Sequence, residues 1–67
     1  MISKVIYYRK LANKTQKEMS DILNITTQGY RLKENGQRQF KDKEKVILKE
    51  YFNKVLNKDL TIDEIFF

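Results

Sequence analysis

Thr27, Gln28 and Arg31 carry a hydroxyl, an amide and a guanidinium at spacings of one, three and four residues, so a helix through them would group all three, with Leu32, on one face. Such side chains hydrogen-bond to the edges of bases. The amide of Gln28 suits adenine in particular, because it can accept from N6 and donate to N7. Solvation alone would also tolerate a polar face, so the chemistry depends on what holds this helix and turns it outward.

Two short helices joined by a three-residue turn are expected to do that, within the run TQKEMSDILNITTQGYRLKENGQR from Thr15 to Arg38. Thr15 followed by Glu18, just ahead of Met19, Ile22 and Leu23, is a capping box in which each side chain satisfies an orphan backbone N–H of the first turn. Met19 and Leu23 fall four apart on one face, and Ser20 is small enough to let a second helix cross closely. Asn24 tolerates the left-handed backbone that ends a helix, Ile25 can pack back under the turn, and Thr26 caps the next helix. This second helix begins at about Thr27, is anchored by Tyr30, and ends through Glu34, Asn35 and Gly36, since Gly takes positive φ without strain. A capped helix, a tight turn and a second helix with a polar outer face fit one helix into a major groove.

Thr15-Gln16, Met19-Ser20, the run LNIT from Leu23 and the run ENGQR from Glu34 together resemble the helix-turn-helix domain of Cro and repressor proteins from phage, the XRE family. The likeness extends from about Val5 to Phe66, and its most specific pieces are Thr15-Gln16 and Glu34-Asn35-Gly36. It implies an all-α fold, a compact bundle of about five short helices with a lambda-repressor-like DNA-binding unit, forming a single domain over residues 1–67. By the same resemblance Thr27 and Gln28 would face base edges, Gln16, Thr26, Asn35 and Arg38 would touch phosphates, and Arg31 would be a further candidate for either, placed here with the base contacts. Helix N-termini offer free N–H groups and a positive dipole end to anions, which agrees with the phosphate roles. The family also implies a partly buried ion pair, here Arg9 with Glu34. Its partner would be double-stranded operator DNA, bound by a homodimer whose C-terminal regions meet.

Three residues depart from the family's pattern. Lys33 stands where a second aliphatic anchor is usual, so its stem would snorkel over the core or the helix would rotate slightly. Leu32 occupies a slot that is more often polar and groove-facing, where it could touch a thymine methyl. Gly29 costs roughly 1 kcal/mol against Ala inside a helix and would let the backbone approach DNA closely.

The flanking segments read as scaffold. Ser3 is expected to cap a first helix to about Ala12, with Val5, Tyr8 and Leu11 inward, one of Tyr7 and Tyr8 half exposed, and Asn13 closing it. Phe40 should pin a basic loop, QRQFKDKEK, in which Arg38 is the strongest candidate for the DNA backbone. A helix from about Asp42 to Leu56 carries an apolar stripe wider than one seam needs, and residues 53–58 look inserted relative to the family. Thr61 and Glu64 then box a short last helix ending in Phe66 and Phe67, one packed and one available for a subunit contact.

Composition narrows the function. A length of 67 residues buries only about 60% of the unfolded surface and cannot house a large pocket. With no Cys and no His, the chain lacks disulfides, thiolate nucleophiles, the commonest metal ligands and the usual proton shuttle, and its carboxylates are scattered among lysines. An enzyme is not expected, nor a metal, cofactor or small-molecule substrate. The net charge of +5 biases the protein toward polyanions, although solubility alone would use a lysine-rich surface too. No apolar run approaches the roughly 20 residues that span a bilayer and no signal segment is visible, so a cytoplasmic location is expected. The expectation is therefore a sequence-specific transcriptional regulator of Cro type, with a protein-interaction module of the same fold, a modulator or antitoxin-like protein, as the alternative.

Overall fold

With no Pro and two Gly in the chain, Thr starts three of the helices and Asn supplies most of the left-handed residues that end them. The computed structural model describes residues 3–67, which form α1 (Val5–Leu11), α2 (Gln16–Leu23), α3 (Thr27–Glu34), α4 (Asp42–Leu56) and α5 (Ile62–Phe66), with no strand among the described residues. Full capping boxes open α2 and α5: Thr15 Oγ1 accepts from Glu18 N at 3.1 Å while Glu18 accepts from Thr15 N at 2.8 Å, and Thr61 and Glu64 repeat the exchange at 3.2 and 3.0 Å. Thr26 Oγ1 closes the first turn of α3 by accepting from Gly29 N at 3.0 Å. Asn13, Asn24 and Asn57 lie at φ 58°, 57° and 54°, and Gly36 at φ 90° follows α3. These left-handed residues end the first four helices, as Asn24 and Gly36 in particular are expected to.

The core is one cluster into which every helix contributes: Val5 and Tyr8 of α1, Met19 and Leu23 of α2, Tyr30 of α3, Leu48 and Phe52 of α4, Ile65 and Phe66 of α5. Phe40 joins it from the loop before α4, as expected, with its ring 6.0 Å from Tyr30 and 5.5 Å from Phe66. This short loop therefore fastens the end of α3 to α5. α2 packs chiefly on α3, while α4 receives α1, α2 and α5.

Several expectations for the flanks are corrected. Ser3 does not cap α1; Lys4 takes that position without a side-chain bond, and its N–H donates to Ile65 O at 2.7 Å, which ties the start of α1 to α5. α1 ends at Leu11 with Ala12 as its C-cap, as expected, but Leu11 is 48% exposed rather than inward. At 3.6 residues per turn it sits about 120° round from Val5, off the buried face. Tyr8 is buried and Tyr7 exposed, as the adjacency of the two requires. In α4 only Leu48 and Phe52 are fully buried among the apolar residues; Ile47, Tyr51 and Leu56 pack at its edge, and Val46 and Val55 are 40% and 44% exposed. Residues 53–56 lengthen α4, and Asn53 clamps the following link by accepting from Leu60 N at 2.7 Å and donating to Leu60 O at 3.1 Å.

Candidate nucleic-acid interface

The crossing of α2 and α3 is set by a small residue. Ser20 is buried, donates to Lys17 O at 2.7 Å and lies 3.3 Å from the Thr27 hydroxyl. Thr27 is consequently half-buried with its oxygen turned to α2, whereas Gln28 and Arg31 are exposed. Of the three side chains expected to read bases, these last two stand most openly on the outer face. Leu32 is half-buried, so it is a partial apolar surface and not a free one.

What orients α3 is the carboxylate at its end. Glu34 is 2% exposed and accepts from four groups: Arg9 Nε at 2.8 Å, Arg9 Nη2 at 3.2 Å, Gln16 Nε2 at 2.9 Å and the hydroxyl of Tyr30. Arg9 in turn donates to Lys14 O at 2.9 Å. The expected Arg9–Glu34 pair is thus present, and it joins α1, α2 and α3 at one buried point. Burial pushes the Glu34 carboxyl up, but hydrogen bonds from Arg9, Tyr30 and Gln16 outweigh it and hold the group below its ordinary value. Burial, and then the bond to Glu34, push the Tyr30 phenol far up, so it stays a donor.

Of the residues expected at phosphates, Thr26, Asn35 and Arg38 are exposed and flank α3 at its two ends. Asn35 Oδ1 accepts from Gln37 N at 3.1 Å, its amide N–H groups have no partner among the described residues, and Arg38 is held through its own N–H to Leu32 O at 3.1 Å. Gln16 differs from them. Its amide is engaged within the protein on both atoms, Nε2 to Glu34 and Oε1 from Arg31 Nε at 3.3 Å. Gly29 lies where a Cβ would meet Thr26 Oγ1 at 3.0 Å, so its small size serves the cap of its own helix.

A second buried pair was not expected. Lys33 does not snorkel to solvent; its Nζ sits 2.7 Å from both oxygens of Glu44, with the two side chains 10% and 9% exposed. Glu44 also accepts from Lys41 N at 2.8 Å at the start of α4, so α3 and α4 are locked together there. Burial raises the Glu44 carboxyl, but Lys33 and the Lys41 N–H more than offset it and leave the group below its ordinary value. The only signal in the sequence is a lysine in an apolar slot and a glutamate three residues into the next helix. Lys33→Met keeps the stem but strands a charge, and is expected to cost about 1–3 kcal/mol in urea unfolding. An unchanged midpoint would show that this pair does not hold α3.

Among the described residues no group of three metal-ligating side chains comes together and no helix is long and apolar enough to cross a membrane. Compared with protein-family models, curated proteins and solved structures, the chain matches none.

Proposed function

We propose that this protein is a sequence-specific double-stranded DNA-binding transcriptional regulator of the Cro and repressor type, working in the cytoplasm and reading the major groove with α3. One observation carries most of the weight: Gln28 and Arg31 are exposed on a helix whose opposite side is anchored at the buried Tyr30 and Glu34. Rigid backing with polar groups outward is what direct readout needs, because a loose helix would lose in ordering what its hydrogen bonds gain. Thr26, Asn35 and Arg38 set the register on phosphates, while Gln28, Arg31 and the partly turned-in Thr27 face the bases. Occlusion of a promoter is then a result of occupancy alone. The exposed ring of Phe67, 63% accessible and 5.0 Å from Lys45 Nζ, offers a contact for a second copy on a two-fold operator.

Exposed Phe67, Val46 and Val55 also favour a second reading, in which the same fold binds another protein. Fluorescence anisotropy on a mixed-sequence duplex over a salt series separates the two. Binding at low salt that falls steeply with salt supports the DNA role, and Arg38→Ala should weaken all sequences alike and lower the salt slope by about one unit. No binding to any duplex at low salt would contradict it and favour the protein partner.

A further inference from the structure

Gln16 stands between a buried acceptor and an exposed cation, and this decides which way its amide faces. The Glu34 carboxylate can only accept, so the atom of Gln16 beside it, at 2.9 Å, is Nε2. The carbonyl Oε1 must then point the other way, where it accepts from Arg31 Nε at 3.3 Å. Glu34 is itself fixed by Arg9 and Tyr30, so the chain of bonds from the buried end of α3 to the tip of Arg31 leaves little freedom to the amide. With Nε taken, the guanidinium keeps its Nη1 and Nη2 end without a partner among the described residues. Two parallel N–H groups in that arrangement match O6 and N7 of guanine.

We infer that Gln16 is a positioning residue that holds Arg31 to read a guanine in the major groove. This rests on the DNA-reading proposal above and gives it a base and a mechanism of orientation. An exposed arginine surrenders much rotamer freedom when it binds, and a tether made before binding removes part of that loss. The phosphate role implied for Gln16 by resemblance makes a different prediction. A phosphate contact supports every sequence equally, whereas a tether on Arg31 supports one base pair.

The test uses a duplex that wild type prefers, with each base pair varied in turn, and compares wild type, Arg31→Ala, Gln16→Met and the double variant by competition binding. Melting curves confirm that each is folded, and Gln16→Asn, which keeps an amide but shortens its reach, replaces Gln16→Met should that variant fail to fold. Preference at one G·C pair is expected to fall roughly tenfold or more in Arg31→Ala and substantially in Gln16→Met, with the other positions retained and no further loss in the double variant. Uniform weakening by Gln16→Met with the G·C preference intact would overturn the inference and leave DNA reading standing. Arg31→Ala without any change of preference would overturn it as well. A wild type with no preferred sequence would overturn both this inference and the reading beneath it.

Discussion

Arg9→Ala is expected to lower the free energy of unfolding by about 3–5 kcal/mol, enough to leave much of a domain this small unfolded at room temperature. The loss comes less from the missing attraction than from what remains. Glu34, 2% exposed, would keep only the donors of Gln16 and Tyr30 for a full negative charge. Arg9→Lys, which keeps the charge but not the two-pronged geometry at 2.8 and 3.2 Å, should fall between. The effect depends on pH in a stated direction. In the wild type the Glu34 carboxyl titrates below the ordinary 4.5, so its contribution is complete above that pH and is lost as pH falls through the folded-state value. In Arg9→Ala the burial that raises the carboxyl remains while the Arg9 bonds that lower it are gone, so Glu34 protonates at higher pH than in the wild type, and once protonated it no longer suffers from the missing cation. The gap in stability between the two proteins should therefore be widest near neutrality and narrow below about pH 4.5. Urea titrations at several pH values measure it, and a gap that stayed constant with pH would show that the pair is not what Arg9 contributes.

Tyr30→Ala is expected to cost about as much, ~3–5 kcal/mol, by a different route. Its ring is fully buried against Phe40 and is the central apolar anchor of α3, so removing it opens a cavity under the helix that carries Gln28 and Arg31. Tyr30→Phe isolates the hydroxyl. It should cost about 1.5–3 kcal/mol, the range for a hydrogen bond to a charged group, while leaving duplex affinity of the folded protein close to wild type because the ring still seats the helix. Equal destabilisation by the two substitutions would mean that the bond to Glu34, and not packing, holds α3 in place.

Much of this arrangement is legible in the sequence because it is made by short-range chemistry. Thr15, Asn24, Thr26 and Gly36 act on backbone groups within a few residues of themselves, and each does what its type and position imply. Ser3 shows the limit of such signals: a hydroxyl before a helix has the form of a cap, but the helix starts one residue later, with Lys4 at the cap position and its N–H bonded to Ile65 O from the far end of the chain. Lys33 with Glu44, and Gln16 with Glu34, are 11 and 18 residues apart, and their meeting depends on how helices are rotated against one another. Spacing along one helix cannot carry that information. The Arg9–Glu34 pair, 25 residues apart, is anticipated only through the resemblance to the Cro and repressor proteins. Spacing groups Thr27 with Gln28, yet the 3.3 Å approach to Ser20 turns it partly inward, because the close crossing that Ser20 permits also draws in its neighbour.

Selection of bound duplexes from a random library at about physiological salt, carried out on wild type and Gln28→Ala together, tests sequence reading by α3 most directly. Wild type should yield a two-fold symmetric motif, and Gln28→Ala should bind it about 1–3 kcal/mol more weakly with preference relaxed at one base pair of each half-site. The same motif recovered with equal strength by both proteins, or no motif from either, would contradict the claim that the outer face of α3 reads DNA.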